Sequence, residues 1–283
     1  MMLIMHNKNL QSFSGLYCYF CKWTVFWPLN RSIWMGSILW IAICFHTTHA
    51  DPDPETKLLD GYLGAGVMSY PVYDGSTHNQ IVALPLIFAE YREIFYIDLL
   101  RAGVRVWHND AKTLAVGISA EPRFGYHATD SVYVKSMATR HDLLEGGPTL
   151  EWELPEVSIS IAYYHDWTSV TDGYSVRLSA YHQVWDNALW DIGSYIDIDH
   201  ADSRTISYYY GIRPNEATQS RPAYKPGGAT NYALGFTGAY KFNRTYALLF
   251  GWEANILGTE AANSPIVQRR VGITTYIGFG LIY

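Results

Sequence analysis

From residue 59 to the C-terminus, apolar residues recur at every second position in run after run, with polar or small residues filling the alternate positions. Period-2 alternation is the signature of a strand with one apolar face. Between Asn231 and Phe242 one face carries Tyr232, Leu234, Phe236, Gly238, Tyr240 and Phe242; the other carries Asn231, Ala233, Gly235, Thr237, Ala239 and Lys241. From Tyr246 to Ile256 the apolar face is Tyr246, Leu248, Phe250, Trp252, Ala254 and Ile256, with Glu253 and Asn255 opposite. From Ala188 to Asp199, Trp190, Ile192, Ile196 and Ile198 face away from Asp191, Asp197 and Asp199. These runs last about 9 to 12 residues, against about 5 or 6 for a globular strand. Tilted strands of that length cross a bilayer's hydrocarbon core.

The connections alternate in length. Pro155-Glu156, Asp186-Asn187 and Asn243-Arg244-Thr245 are tight turns, whereas residues 125–146, 200–230 and 257–270 are long and polar. Tight turns on one side and long loops on the other mark an outer-membrane barrel. Trp167, Trp185, Trp190, Tyr246 and Tyr283 stand at strand ends, where an interfacial aromatic girdle lies. A water-soluble sandwich or lipocalin-like barrel would instead show shorter strands with turn signals every 8 to 12 residues or so. The fold expected is therefore all-β, a transmembrane antiparallel β-barrel.

The alternation resolves into runs at 59–70, 81–91, 94–107, 113–124, 147–154, 157–168, 174–186, 188–201, 231–242, 246–257 and 272–283. That count is odd, and bacterial single-chain barrels use even numbers. The irregular run is 94–107. Its apolar face is Phe95, Ile97 and Leu99, after which the phase slips to Val104 and Val106 across Arg101-Ala102-Gly103. A slip inverts every later side chain, so this is either a bulge or a turn between two short strands. Splitting it predicts twelve strands and places the long loops outside; ten is the alternative. Pro85 inside a run favours a bulge or distortion there.

The first 50 residues are of another kind. They hold all three cysteines (Cys18, Cys21, Cys44), the basic Lys8, Lys22 and Arg31, and no acidic residue. An apolar run from Ile33 to Phe45 leads to Thr48-His49-Ala50, which predicts a cleavable signal peptide over 1–50, cut after Ala50. That run is too short for a spanning helix, so a retained anchor is the lesser reading. Residues 51–283 then form the barrel, with no cysteine and all 26 acidic residues of the chain. Their acidic balance argues against nucleic acid as a partner. Export, lipid contact and the cell outer membrane of a Gram-negative envelope are the expectation.

Chemistry-bearing motifs are absent. His78, His108, His127, His141, His165, His182 and His200 show no metal-ligand spacing, and no Gly-x-Ser-x-Gly elbow occurs. Ser179 and His182 differ in parity and so point to opposite faces. No catalytic residue, cofactor or metal is expected. Gly64-Ala65-Gly66 lies within a strand with no helix after it, so its small residues serve bending or interior space and not a nucleotide. The acidic row Asp191, Asp197 and Asp199 is expected to line the lumen, either pairing with Arg177 on the neighbouring strand or favouring cations in a channel, with pairing the stronger reading. The last strand, with Gly278, Phe279, Leu281 and a terminal Tyr283, resembles the signal read by the barrel-assembly machinery, although Ile277 stands where a polar residue is more usual.

The chain resembles the MltA-interacting protein (MipA/OmpV) family of outer-membrane proteins. The likeness rests on Gly64-Ala65-Gly66 running into Tyr70-Pro71-Val72-Tyr73-Asp74-Gly75-Ser76, then Leu84-Pro85-Leu86-Ile87. It continues through Tyr209-Tyr210-Gly211-Ile212, Pro222-Ala223-Tyr224, Gly227-Gly228, Ser264-Pro265-Ile266-Val267 and the final strand. The resemblance implies a non-enzymatic barrel that acts as an envelope scaffold, linking a murein-degrading lytic transglycosylase to a murein-synthesising penicillin-binding protein. A small porin-like channel and a surface adhesin are the alternatives.

Overall fold

A computed structural model describes residues 58–283; the signal peptide over 1–50 and its cut at Ala50 lie outside the described residues. Twelve antiparallel strands close into one barrel. They are β1 Leu59–Pro71, β2 Asn79–Tyr91, β3 Phe95–Asp98, β4 Arg101–His108, β5 Leu114–Arg123, β6 Leu143–Glu153, β7 Ser158–Asp166, β8 Tyr174–Asp186, β9 Trp190–Ala201, β10 Ala229–Lys241, β11 Tyr246–Ile256 and β12 Val271–Ile282. Each pairs with its sequence neighbour, and β1 pairs with β12 from Tyr62↔Ile282 to Ser69↔Thr275. Closure leaves no sheet edge exposed along that seam, as a lipid-embedded sheet requires.

The outward face is apolar without being a core: Val116, Ile118, Leu150, Ile161, Leu234 and Phe236 are all exposed. In water such a belt would be a liability; against acyl chains it is the solvated surface. Trp167, Trp185, Trp190, Tyr246 and Tyr283 are exposed at or beside strand ends.

The irregular run resolves as two strands. β3 and β4 are joined by a two-residue turn at Leu99-Leu100, with Leu99 in the left-handed region at φ 55°. The phase slip is thus a reversal of direction at Leu99-Leu100, and Arg101-Ala102-Gly103 is regular strand. A bulge does exist in β4, but further on, between Arg105 and Trp107; it brings both Val106 and Trp107 to the outside. Ten strands is excluded. Pro85 causes no distortion: the β1–β2 register runs unbroken through Ala65↔Pro85. Its missing N–H points away from β1, so the ladder loses nothing. β6 begins four residues earlier than the alternation suggested, because Gly146 and Gly147 obscure its period.

The seam of β1 and β12 shows how small residues shape the lumen. Gly66 and Gly278 are register partners facing inward, and fully buried Leu86 of β2 lies across both. A Cβ on Gly66 would stand 2.3 Å from the Ile277 carbonyl oxygen and 2.7 Å from Leu86 Cδ1. Neither the backbone nor a fully buried leucine can yield that much. Gly66→Val is expected to prevent closure, read as loss of the heat-modifiable folded band on a detergent gel, whereas Ala65→Val on the outward face leaves it intact.

Candidate functional site

Inside the barrel, alternate residues of every strand meet across the lumen, and the polar faces seen in the sequence converge there. Arg123 of β5 donates to Glu145 of β6 at 2.9 Å and to Asp199 of β9 at 3.2 Å. Arg177 of β8 is ion-paired with Glu121 of β5 and lies 3.5 Å from Asp199. Ser119 bonds both Thr149, at 2.7 Å, and Tyr164, at 2.8 Å. Lower down, Arg105 bridges Glu151 at 2.6 Å and Glu90 at 2.9 Å. Buried ions persist where each finds partners, and here the upper network ties β5, β6, β8 and β9 together inside the barrel.

Two cavities lie on either side of that network, one of about 400 Å³ toward the tight turns and one of about 310 Å³ toward the long loops; they share no lining residue. The upper one is lined by Glu121, Arg123, Glu145, Arg177, Asp197 and Asp199. Asp191 lines the lower one, where its carboxylate accepts from Tyr62 Oη at 2.7 Å and Gln183 Nε2 at 2.9 Å. The acidic row is therefore split between two chambers. Asp199 pairs with Arg177 and Arg123, while Asp197 and Asp191 form no ion pair among the described residues.

The long loops fold into a cap over the mouth. α1, Ser203–Tyr210, starts at Asp202, whose side chain accepts from Thr205 N at 3.0 Å. It packs Ile206, Tyr209 and Tyr210 against Leu143, Leu257 and Ala261 of the short α2, Thr259–Ala262, and its surroundings. A second cluster joins Tyr73, Tyr126, Val134, Met137, Ile212 and Ile266. Both are cores in the ordinary sense, built from loops that read as merely polar in the sequence.

Arg140 locks the cap. Its side chain is 1 % exposed and grips Glu216, 4 % exposed, through two bonds of 2.9 and 2.8 Å. It also donates to the carbonyls of Tyr208, Ala138 and Gly211. Arg221 ties the same region to Tyr133, Lys135 and Glu216 carbonyls. Burial alone would raise the Glu216 carboxyl; Arg140 and the N–H groups of Ala138 and Arg213 outweigh it and hold it at about 2, below its ordinary 4.5. None of these residues stands out in the sequence, since each sits in a loop and pairs with a partner more than 70 residues away. The Tyr208-Tyr209-Tyr210 run, placed just after Asp202, is the one signal that could have marked a packed helix.

Phe279 and Leu281 of β12 face outward, and Gly278 inward against Leu86. Among the described residues no group of histidines, cysteines or carboxylates is placed to hold a metal ion. His182 Nδ1 instead meets the Glu156 carbonyl at 2.6 Å beside a tight turn.

Removing Arg140 leaves Glu216 charged and buried. Arg140→Ala is expected to destabilise the cap by about 3–5 kcal/mol, read as lost amide-exchange protection over 131–142 and 203–221 with the strands still protected. Because the Glu216 carboxyl is depressed in the folded cap, its contribution is complete above pH 4.5 and disappears as the pH falls toward 2. The same exchange measurement should show the cap loosening across that window and Glu216→Gln abolishing the pH dependence.

Comparison with known proteins agrees with this architecture. Residues 63–283 match the family described as MltA-interacting protein MipA. Outer membrane protein Omp26La of Vibrio anguillarum is 27 % identical over 184 residues, covering 65 % of this chain and 71 % of that protein. Outer membrane protein OmpV of Vibrio cholerae matches with the same identity and coverage. Among solved structures, outer membrane phospholipase A from Escherichia coli covers 78 % of this chain and 92 % of its own, at 11 % identity and a TM-score of 0.31, a likeness too distant to bear on function. A closed barrel with a lipid-facing apolar belt and a match spanning all twelve strands but the first few residues of β1 place this chain in the outer membrane, as a member of the MltA-interacting protein MipA family.

Proposed function

We propose that this barrel is a non-enzymatic, non-conducting interaction protein of the cell envelope, which holds a murein-degrading lytic transglycosylase beside a murein-synthesising penicillin-binding protein. The observation that carries the closed state is the ion network of Arg123, Arg177, Glu121, Glu145 and Asp199, which lines the upper of two cavities that share no lining residue, under a packed cap. A porin keeps a continuous aqueous path; here the two interior cavities share no lining residue, which supports a closed lumen. The family description, MltA-interacting protein, supports the partner class.

The periplasmic face offers the tight turns between β2 and β3, β4 and β5, β6 and β7, β8 and β9, and β10 and β11. They carry a mixed polar set, including Arg92, Glu93, Lys112, Glu156 and Arg244. Such a surface suits a modest, salt-sensitive contact more than a large apolar one.

Two measurements decide the reading. In planar bilayers the intact protein is expected to give no sustained conductance; steady cation-selective steps would favour a channel. From crosslinked envelopes, capture of this protein should bring a lytic transglycosylase with it, less so in high salt, and absence of any murein enzyme would overturn the scaffold role.

A further inference from the structure

The barrel wall is incomplete on one side. β3 has 4 residues while its neighbour β2 has 13, and the β3–β4 hairpin turns back at Leu99-Leu100. The β2–β3 ladder ends at Phe88↔Asp98, after which a single bond from Leu99 N to the Ile87 carbonyl, 2.8 Å, closes the contact. Above it, the β2 edge from Ile87 to Asn79, about 27 Å at the usual strand rise, has no strand beside it. On the other side β4 pairs with β5 only as far as Ala102↔Ala120, so Pro122 and Arg123 have no β4 partner. Higher still, Tyr70 packs on Phe124 with ring centroids 6.0 Å apart, and Tyr73 on Tyr126 at 5.2 Å. The gap is a window, with Leu99-Leu100 as its sill and these aromatic pairs as its lintel.

Two prolines flank the window, and their parity is telling. In an antiparallel strand the N–H and C=O of one residue point to the same side, and successive residues alternate. Ile87 offers its carbonyl to β3, so odd-numbered residues of β2 face the window, Pro85 among them. Leu114 offers its carbonyl to Asn109 at the foot of β4, and Thr113 offers its own to β6, so even-numbered residues of β5 face β4 and the window, Pro122 among them. Each proline thus removes a donor where no acceptor exists. An unpaired N–H facing hydrocarbon costs several kcal/mol; Pro85 and Pro122 each spare the frame one such donor, while Ile81 and Ala83 of β2 still turn theirs toward the gap. The sill agrees, since a reversal made of two leucines tolerates acyl chains where Asn-Gly would not.

Behind the window lies the 310 Å³ chamber, whose lining includes Leu99, Leu100, Pro122 and Phe124 of the frame. Tyr73 and Asp74 of the loops line it above and the ion network lines it below. Its depth carries six carboxyl groups and two guanidinium groups. Arg123 and Arg177 are taken by Glu145, Asp199 and Glu121, while Asp74, Asp197 and Glu253 form no ion pair among the described residues.

We propose that the window between β2 and β5 is a lateral entrance from the outer leaflet, through which the upper chamber takes a single-chain amphiphile with a cationic amine head. The apolar chain lies across Leu99, Leu100 and Pro122, and the head reaches Asp197 and Glu253. The size of the chamber suits a head group and the first part of a chain, at the small end of ligand pockets.

The test uses the barrel in lipid nanodiscs, since residues 51–283 contain no cysteine to interfere. Ala233→Cys and Thr274→Cys place a thiol in the upper chamber from two different strands, and heat-modifiability confirms that each variant folds. N-dodecylmaleimide is expected to label both about tenfold faster than a membrane-impermeant sulfonated maleimide. Dodecylamine should slow that labelling and dodecyl sulfate should not; Leu100→Trp at the sill should slow it as well. Equal labelling by the impermeant reagent would mean entry through water, and no labelling by N-dodecylmaleimide would mean no entrance; either overturns the proposal. Equal competition by dodecyl sulfate would overturn the cationic head.

Discussion

Every backbone group in the hydrocarbon core must find its partner within the protein, because the solvent there offers none. This one requirement explains the closed ring of twelve strands, the β1–β12 seam and the short bond from Leu99 to Ile87. The break in β2–β5 pairing above Leu99-Leu100 is the exception, and there Pro85 and Pro122 each remove one donor from the unpaired edge. The interior obeys the corresponding rule for charge: Arg123 and Arg177 are neutralised by carboxylates from β5, β6 and β9.

Because strand parity decides which side chains enter, most of the barrel was legible in the sequence. The alternation in β10 and β11 gave their faces and the turn between them directly, since one face met lipid and the other met water or ions. The β3–β4 hairpin was half legible. Parity required a break near Arg101, but its turn is Leu99-Leu100, which carries no Gly, Asn or Asp. Turn chemistry is a rule for aqueous turns, and this one lies below the rim against apolar surroundings. Glycine at 146 and 147 hid the start of β6 for a simpler reason: a residue without a side chain has no phase.

The cap was not legible. Its two clusters gather residues from loops far apart in the chain, Tyr73 with Ile266 and Tyr126 with Ile212, and the sequence of each loop is polar overall. Periodicity reports an element's own faces, whereas Arg140 and Glu216 matter only because the barrel brings their loops together. The acidic row shows the same limit. Asp191, Asp197 and Asp199 share a face of one strand, yet the neighbouring strands send Arg177 and Arg123 to Asp199, and Tyr62 and Gln183 to Asp191.

The cap's dependence on distant loops has a kinetic meaning. Contacts such as Tyr73 Oη to the Ile266 carbonyl, 193 residues apart, join the two ends of the chain's sheet, and contacts so distant in sequence are favoured once strand pairing has closed the loop between them. The seating of Tyr73 in the second cluster thus depends on a finished ring, whereas the first cluster and the Arg140–Glu216 pair join segments that lie on one side of the seam. A barrel stalled with β1 and β12 apart would leave Tyr73 without its partner Ile266, while the Arg140–Glu216 lock could already be made.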